Sequence, residues 1–440
     1  MPTVASRVRS WWFLGSCAIV VAVSVVWGRH VQADPRVKLG AAPLVGRWHV
    51  RFGWSLIPAV LLAAAVVWWG PRLGARMRFA WLAASAAVAG CAFTLLLAAS
   101  DGLGHVLDPV VHPTEYWANL ATLPGASTML HHYGTIQFLL PYSVHAKGHP
   151  PGFLLLLKAL AAIGLGHPWA AGALSYVGVV VVVSAGLSTV RAVAGEAAAR
   201  ASAPFFVVAP YAVWMGTSAD AFYAAVGAVG VLLTVTGART SGPLFRRAAF
   251  GVVGGVALGA LLELTYGGAV YLAVPLIAGI GVALSSGPAR SHLRAISEVL
   301  LAALVGIGAV FVAFALAGFW WGDGLRVTRT FYWWGTAQFR PAGYFVVGNV
   351  AAALIAVGPA VVVGLARLRN KRLWLLVGAG ALCIVAADVS QYSKAEVERI
   401  WLLFFPWLLP AVAVLSRPRR WLAAQAALAV GLQVALVSKW

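Results

Sequence analysis

Runs of about twenty apolar residues recur along almost this whole chain, divided by short clusters of Lys and Arg. Such a run can satisfy its backbone hydrogen bonds within one helix and so lie in lipid, where a loop or open sheet edge cannot. The chain is 61% hydrophobic and only 10% charged, against roughly a quarter charged in a soluble domain. It therefore reads as an all-α polytopic membrane helical bundle. The runs predict about thirteen transmembrane helices, at 11–28, 52–70, 79–100, 169–190, 201–217, 221–237, 248–264, 267–284, 296–318, 343–365, 373–387, 400–416 and 421–437. No internal repeat, heptad array or long linker divides them, so 1–440 is expected to be one membrane domain.

The net charge of +20 does not point to nucleic acid, because the basic residues sit in clusters between apolar runs. That is the pattern of the positive-inside rule. Arg7/Arg9, Arg72/Arg76/Arg78, Arg191/Arg200, Arg239/Arg246/Arg247, Arg290/Arg294, Arg367/Arg369/Lys371/Arg372 and Arg417/Arg419/Arg420 fall on one side if the N-terminus is cytoplasmic. The loop 29–51 carries five Lys/Arg and falls on the other, against the rule. This orientation requires 151–166 to lie at the outer interface rather than span, which its length, Lys158 and the Pro150-Pro151 start allow. Cys17, Cys91 and Cys383 lie in apolar runs without CxxC spacing and read as packing residues. LGSC at 14–17 is preceded by too few apolar residues for a signal-peptide core, so a retained first helix is expected.

One stretch stays out of this pattern. Residues 101–152 form a polar island rich in His, Asp, Glu and Lys, and 101–168 is expected to be an extracytoplasmic catalytic loop with juxtamembrane helices. Glu115 sits in HPTEYW, and GHPPG begins at Gly148. A carboxylate at the water–membrane boundary can take the proton of an attacking hydroxyl, while Lys147 and His149 can meet a phosphate. The plainer reading has Glu115 capping a loop helix and the prolines ending the loop. Asp101 and Asp108 are further candidate acids, each of which reads first as an interface or turn residue. His105, His112, His131, His132 and His145 match no familiar zinc spacing, and a divalent cation is left open.

Elsewhere, Asp220 in GTSADAFY is expected at the outer end of two helices, as a loop residue or part of a site facing the island. The late loop carries Lys394, Glu396, Glu398 and Arg399 just before an apolar run, where Arg399 can bind a lipid phosphate or act as an interface anchor. The aromatic loop 320–340, with Arg326, Arg329 and Arg340, reads first as an interfacial belt. Glu263 is a carboxylate at the end of a run, a costly place for an acid. The glycines of GVVGGVALGA permit close helix packing.

With these residues together the chain resembles the GT-C superfamily of polytopic glycosyltransferases, in the branch of the protein O-mannosyltransferases and lipid A aminoarabinose transferases. Thr114-Glu115-Tyr116 is similar to the acidic motif of that family's outer loop, with one acid in place of a pair. Lys147-Gly148-His149-Pro150-Pro151 is similar to its second motif, and Glu398-Arg399-Ile400 before Phe405-Pro406 to its late basic position. The resemblance implies Glu115 as catalytic base, with Asp108 or Asp101 as alternatives. It also implies that Lys147, His149, Tyr116, Asp220, Glu398 and Arg399 bind substrate. The implied partners are a polyprenyl-phosphate sugar donor, a glycan, lipid or protein acceptor and membrane lipid, at the outer face of the plasma membrane. The implied reaction is an inverting transfer. A transporter or flippase of lipid-linked saccharides is the main rival, and a non-catalytic assembly protein the third reading.

Overall fold

The computed structural model describes residues 4–216, 218–240, 243–285 and 289–438. The side chains of Arg7, Arg9 and Arg290, counted above among the basic clusters, lie outside the described ones, as does Thr217. The chain is helical almost throughout. Its principal helices are α1 (Val4–Val31), α2 (Leu56–Arg76), α3 (Phe79–Ala98), α4 (Gly152–Leu160), α5 (Pro168–Ala194), α6 (Glu196–Val207) and α7 (Asp220–Arg239). They continue with α8 (Leu244–Leu264), α9 (Ala273–Ser285), α10 (Ala289–Leu316), α11 (Trp321–Trp334), α12 (Ala342–Arg367), α13 (Lys371–Val389) and α14 (Pro418–Ala435).

Among the described residues nine helices are long and apolar enough to cross a membrane: α1, α2, α3, α5, α7, α8, α10, α12 and α13. Four of the thirteen expected stretches do not form one long apolar helix. In 201–217, α6 carries Pro204 inside it and ends at Val207, after which only the short helix Ala212–Met215 forms. In 267–284 the helix is split into Gly268–Tyr271 and α9. In 400–416 the chain is a pair, Val397–Leu403 and Phe405–Val414, bent by 72°. Pro406 and Pro410 lie in that second arm, and proline cannot donate to a helical ladder. In 421–437, α14 includes Arg419, Arg420, Gln425 and Gln433. Only the bent pair could add a tenth span. The stretch after Pro151, helical over Gly152–Leu165, is too short to cross.

These stretches still carry the chain from one end of the bundle to the other. At one end Arg200 donates to the carbonyls of Gly74 and Met77, Arg247 pairs with Glu298, and Arg417 faces Arg72 across a cleft. At the other end Ser55 donates to the Ala99 carbonyl, and Arg51 pairs with Asp101. The loop 29–51 is also at this end. Its strands β1 (Gly40–Ala41) and β2 (Leu44–Val45) form a short antiparallel hairpin, and β3 (Arg47–Trp48) pairs antiparallel with β4 (Leu436–Val437).

Glycine sets the tightest contact between helices. A Cβ on Gly255 of α8 would stand 2.0 Å from the Ala303 carbonyl oxygen of α10, and one on Gly306 of α10 would stand 2.2 Å from that of Val252. The two backbones can meet only because neither residue has a side chain. In α12 the helical ladder breaks at Gly358, and buried Gln425 fills the break. Its Oε1 accepts from Ala360 N at 3.2 Å and its Nε2 donates to Val357 O at 2.9 Å. A buried amide thus replaces bonds that the kink removes.

Candidate functional site

The island is a stack of short turns pinned by side-chain caps. Ser143 caps the helix Val144–Gly148 by accepting from Ala146 N, and Thr135 caps Ile136–Leu139 in the same way. Asn119 joins the two halves of the island: its Nδ2 donates to Ser143 Oγ at 2.6 Å, and its Oδ1 accepts from Ser143 N at 2.8 Å. His145 N adds a bond to Thr114 O at 3.2 Å, and Tyr133 Oη donates to Ala146 O at 2.7 Å. These bonds set the TEYW segment against the SVHAKGH segment.

At their junction lies a buried ionic cluster. Arg399, only 3% exposed, reaches it from the start of the bent pair. Its Nη1 is 3.4 Å from Glu115 Oε1, its Nε 3.6 Å from Asp220 Oδ2 and its Nη2 3.6 Å from Glu396 Oε2. Asp220, the first residue of α7, also accepts from Ser218 Oγ at 2.7 Å. A second guanidinium extends the ladder: Arg340 Nη2 is 3.6 Å from Glu396 Oε1, and the same side chain donates to the carbonyls of Val37 and Lys394.

His145 completes the cluster as a neutral group. Arg399 Nη2 donates to His145 Nε2 at 2.6 Å, so that nitrogen carries a lone pair. Nδ1 therefore bears the hydrogen and donates to Thr114 O at 2.6 Å, with Glu115 Oε1 at 3.3 Å. Burial, reinforced by the Arg399 charge, holds the imidazole pKa well below its ordinary value. Burial likewise lifts the Glu115 carboxyl to about 7; Arg399 pulls it down, and Asp220 and Glu396 push it further up. A carboxyl so placed exchanges its proton near neutral pH.

Aromatic rings close the cluster on one side. The hydroxyls of Tyr223 and Tyr116 are bonded at 2.9 Å, and the Tyr116 ring packs on His145, His149 and Phe153. His149 is partly exposed, and its Nδ1 donates to Leu264 O at 3.3 Å, leaving Nε2 without a partner among the described residues. Lys147 is also partly exposed, with Nζ 5.3 Å from the centre of the Phe331 ring, while Thr328 Oγ1 donates to its carbonyl at 2.8 Å. Next to Leu264, Glu263 is 1% exposed, and neither carboxylate oxygen has a hydrogen-bond partner among the described residues.

Of the residues singled out in the sequence, Glu115, Tyr116, His149, Asp220 and Arg399 therefore meet at one place, with Lys147 beside them. Three fall elsewhere. Asp101 is taken up by Arg51, and Asp108 pairs with His105 at 2.8 Å on the exposed face of the island. Glu398, fully buried, accepts from Val45 N at 2.8 Å and so holds the β1–β2 hairpin. The sequence names His145, Glu396 and Arg340 without assigning them to this site, and does not pick out Tyr223. No group of three or more His, Cys, Asp or Glu side chains among the described residues is arranged to hold a metal ion.

Among the described residues, nine apolar helices, with a polar loop folded over one end of the bundle, support a multi-pass helical membrane protein. Compared with known protein families, curated proteins and solved structures, the chain matches none.

Proposed function

We propose that the chain is a membrane glycosyltransferase that moves a sugar from a polyprenyl-phosphate donor to an extracytoplasmic acceptor, with Glu115 as general base. The observation that carries this reading is the pairing of a carboxyl near pKa 7 with a buried guanidinium, across two segments 284 residues apart. A general base is most effective when its pKa lies near the working pH. An Arg suits a phosphate because its planar fork of donors matches the phosphate oxygens.

In the reaction the acceptor oxygen attacks the anomeric carbon while the carbon–oxygen bond to the donor phosphate breaks. The hydroxyl proton passes to a Glu115 oxygen, and the leaving polyprenyl phosphate carries away the bonding pair. Arg399 and Lys147 receive its charge. The isoprenoid tail lies between apolar helices, which spares the enzyme a nucleotide-binding motif.

The test is turnover of a panel of polyprenyl-phosphate sugars by the full chain in lipid nanodiscs, wild type beside Glu115→Gln. Release of polyprenyl phosphate by the wild type, reduced about 10²- to 10⁴-fold in the variant, is the expected result. Equal turnover in both removes Glu115 from the role of base. Passage of intact donor across proteoliposomes, with no phosphate released, replaces the transferase by a transporter.

A further inference from the structure

The end of the bundle opposite Glu115 carries a different kind of site. Where α2 ends and α14 begins, a cleft of about 600 Å³ is lined by Arg72, Arg76, Arg417, Arg419 and Arg420. Five arginines line one space, four of them (Arg72, Arg76, Arg417 and Arg420) exposed, and an anion among them would relieve the mutual repulsion of their charges. Several other arginines at this end have partners. Arg191 and Arg200 share Glu196, Arg247 and Arg294 share Glu298, and Arg239 donates to the Ala192 carbonyl. In the cleft only Arg419 is anchored, donating to Trp68 O at 3.0 Å with its guanidinium 4.9 Å from the Trp68 ring centre. The side chains of Arg72, Arg76, Arg417 and Arg420 have no acidic partner among the described residues. The start of α14 at Pro418 adds the partial positive charge of a helix N-terminus.

The wall beside the cleft says what carries the anion. Along α2, Leu61, Trp68, Trp69 and Leu73 are 64%, 56%, 54% and 49% exposed, so an apolar strip open to lipid runs up to the arginines. Trp at that level is typical of a membrane interface. We infer that this cleft is a binding site for a phosphate group, carried by an anionic lipid whose acyl chains lie along the exposed face of α2. The guanidinium forks hold the phosphate oxygens, and Arg419, fixed against Trp68, sets the depth of the headgroup. The site is independent of the chemistry proposed for Glu115.

The experiment uses the purified full chain in zwitterionic detergent, titrated separately with dioctanoyl phosphatidic acid, phosphatidylcholine of the same chain length and inorganic pyrophosphate. Native mass spectrometry reads retention, and the thermal midpoint reads stabilisation. Phosphatidic acid is expected to be retained and to raise the midpoint, and phosphatidylcholine to do neither. In the triple variant Arg72→Gln/Arg76→Gln/Arg420→Gln retention should fall at least tenfold. Arg36→Gln, a single charge loss at the other end of the bundle that matches the single variants in the cleft, should leave it unchanged. The single variants Arg76→Gln and Arg420→Gln, each expected to lower retention two- to fivefold, keep the test decisive if the triple variant does not fold. Pyrophosphate binding as well as the lipid supports the phosphate site and overturns its lipid source. Retention of phosphatidic acid unaltered in every cleft variant, or lowered equally by Arg36→Gln, overturns the site.

Discussion

Glu115 gathers three opposed influences in one carboxyl: burial and the Asp220 and Glu396 charges hold its proton on, and Arg399 pulls it off. Burial wins, and the group titrates at about 7. Activity that depends on the ionised form should therefore rise with pH to a plateau, with a midpoint near 7. A kcat/KM profile measured from pH 5 to 9 checks this, and the limb should be missing from whatever activity Glu115→Gln retains. Stability runs the other way. The folded value lies above the ordinary 4.5, so the folded state binds the proton more tightly. That contribution is full below about 4.5 and is lost as pH rises through about 7. The thermal midpoint of the wild type should fall between pH 5 and 8, and Glu115→Gln should fall less. Arg399 is the converse case. Replacing it by Met leaves Glu115, Asp220 and Glu396 without their shared cation, and breaking a buried pair in this way costs roughly 3–5 kcal/mol. Chemical denaturation should register the loss. The double variant Arg399→Met/Glu115→Gln should recover part of it, because one of the stranded charges is gone.

At the scale of helices, glycine and proline decide what the apolar pattern leaves open. The glycine-rich run of α8 was legible in the sequence as a packing surface, and Gly255 and Gly306 show the contact it makes: each meets a backbone carbonyl of the facing helix. Gly255→Val should force α8 and α10 apart. A loss of thermal midpoint of several degrees is expected, with the midpoint of Gly308→Ala, where a Cβ meets nothing within 4 Å, almost unchanged. Proline carried the opposite lesson. Apolar composition marked 201–217 and 400–416 as spans, yet Pro204, Pro406 and Pro410 lie within them and neither runs as one straight helix. Hydropathy averages over a window and does not register a broken ladder. The site divides in the same way. Glu115 could be picked out as a carboxylate within the polar island, and Asp220 and Arg399 because a charged residue at the edge of an apolar run is costly wherever it lies. His145 could not be distinguished from the other histidines of the island. What selects it is the Asn119–Ser143 clamp, a pairing between loop segments 24 residues apart that no local spacing encodes.

Across the whole molecule the two ends are chemically unlike. One end holds the island, the hairpin and the carboxylate–guanidinium ladder of Glu115, Asp220, Glu396, Arg399 and Arg340. The other holds the arginine cleft, with most of the remaining basic clusters around it. The loop 29–51, which sequence charge alone assigns awkwardly, belongs to the island end, where Arg51 pairs with Asp101 and Arg36 with Asp34. The rule counts Lys and Arg rather than net charge, so these pairings do not remove the conflict, and the seven clusters at the other end outweigh this loop by number. On that count the expectation is a cytoplasmic arginine end. Single cysteines test this directly. Ser127 lies exposed on the island and Pro243 exposed between α7 and α8. A membrane-impermeant maleimide added to intact cells should label Ser127→Cys, and should label Pro243→Cys only after the cells are permeabilised. The wild type serves as the blank, since Cys17, Cys91 and Cys383 all sit within apolar helices. The reverse pattern would put the arginine cleft outside and Glu115 inside, where an extracytoplasmic acceptor could not reach it.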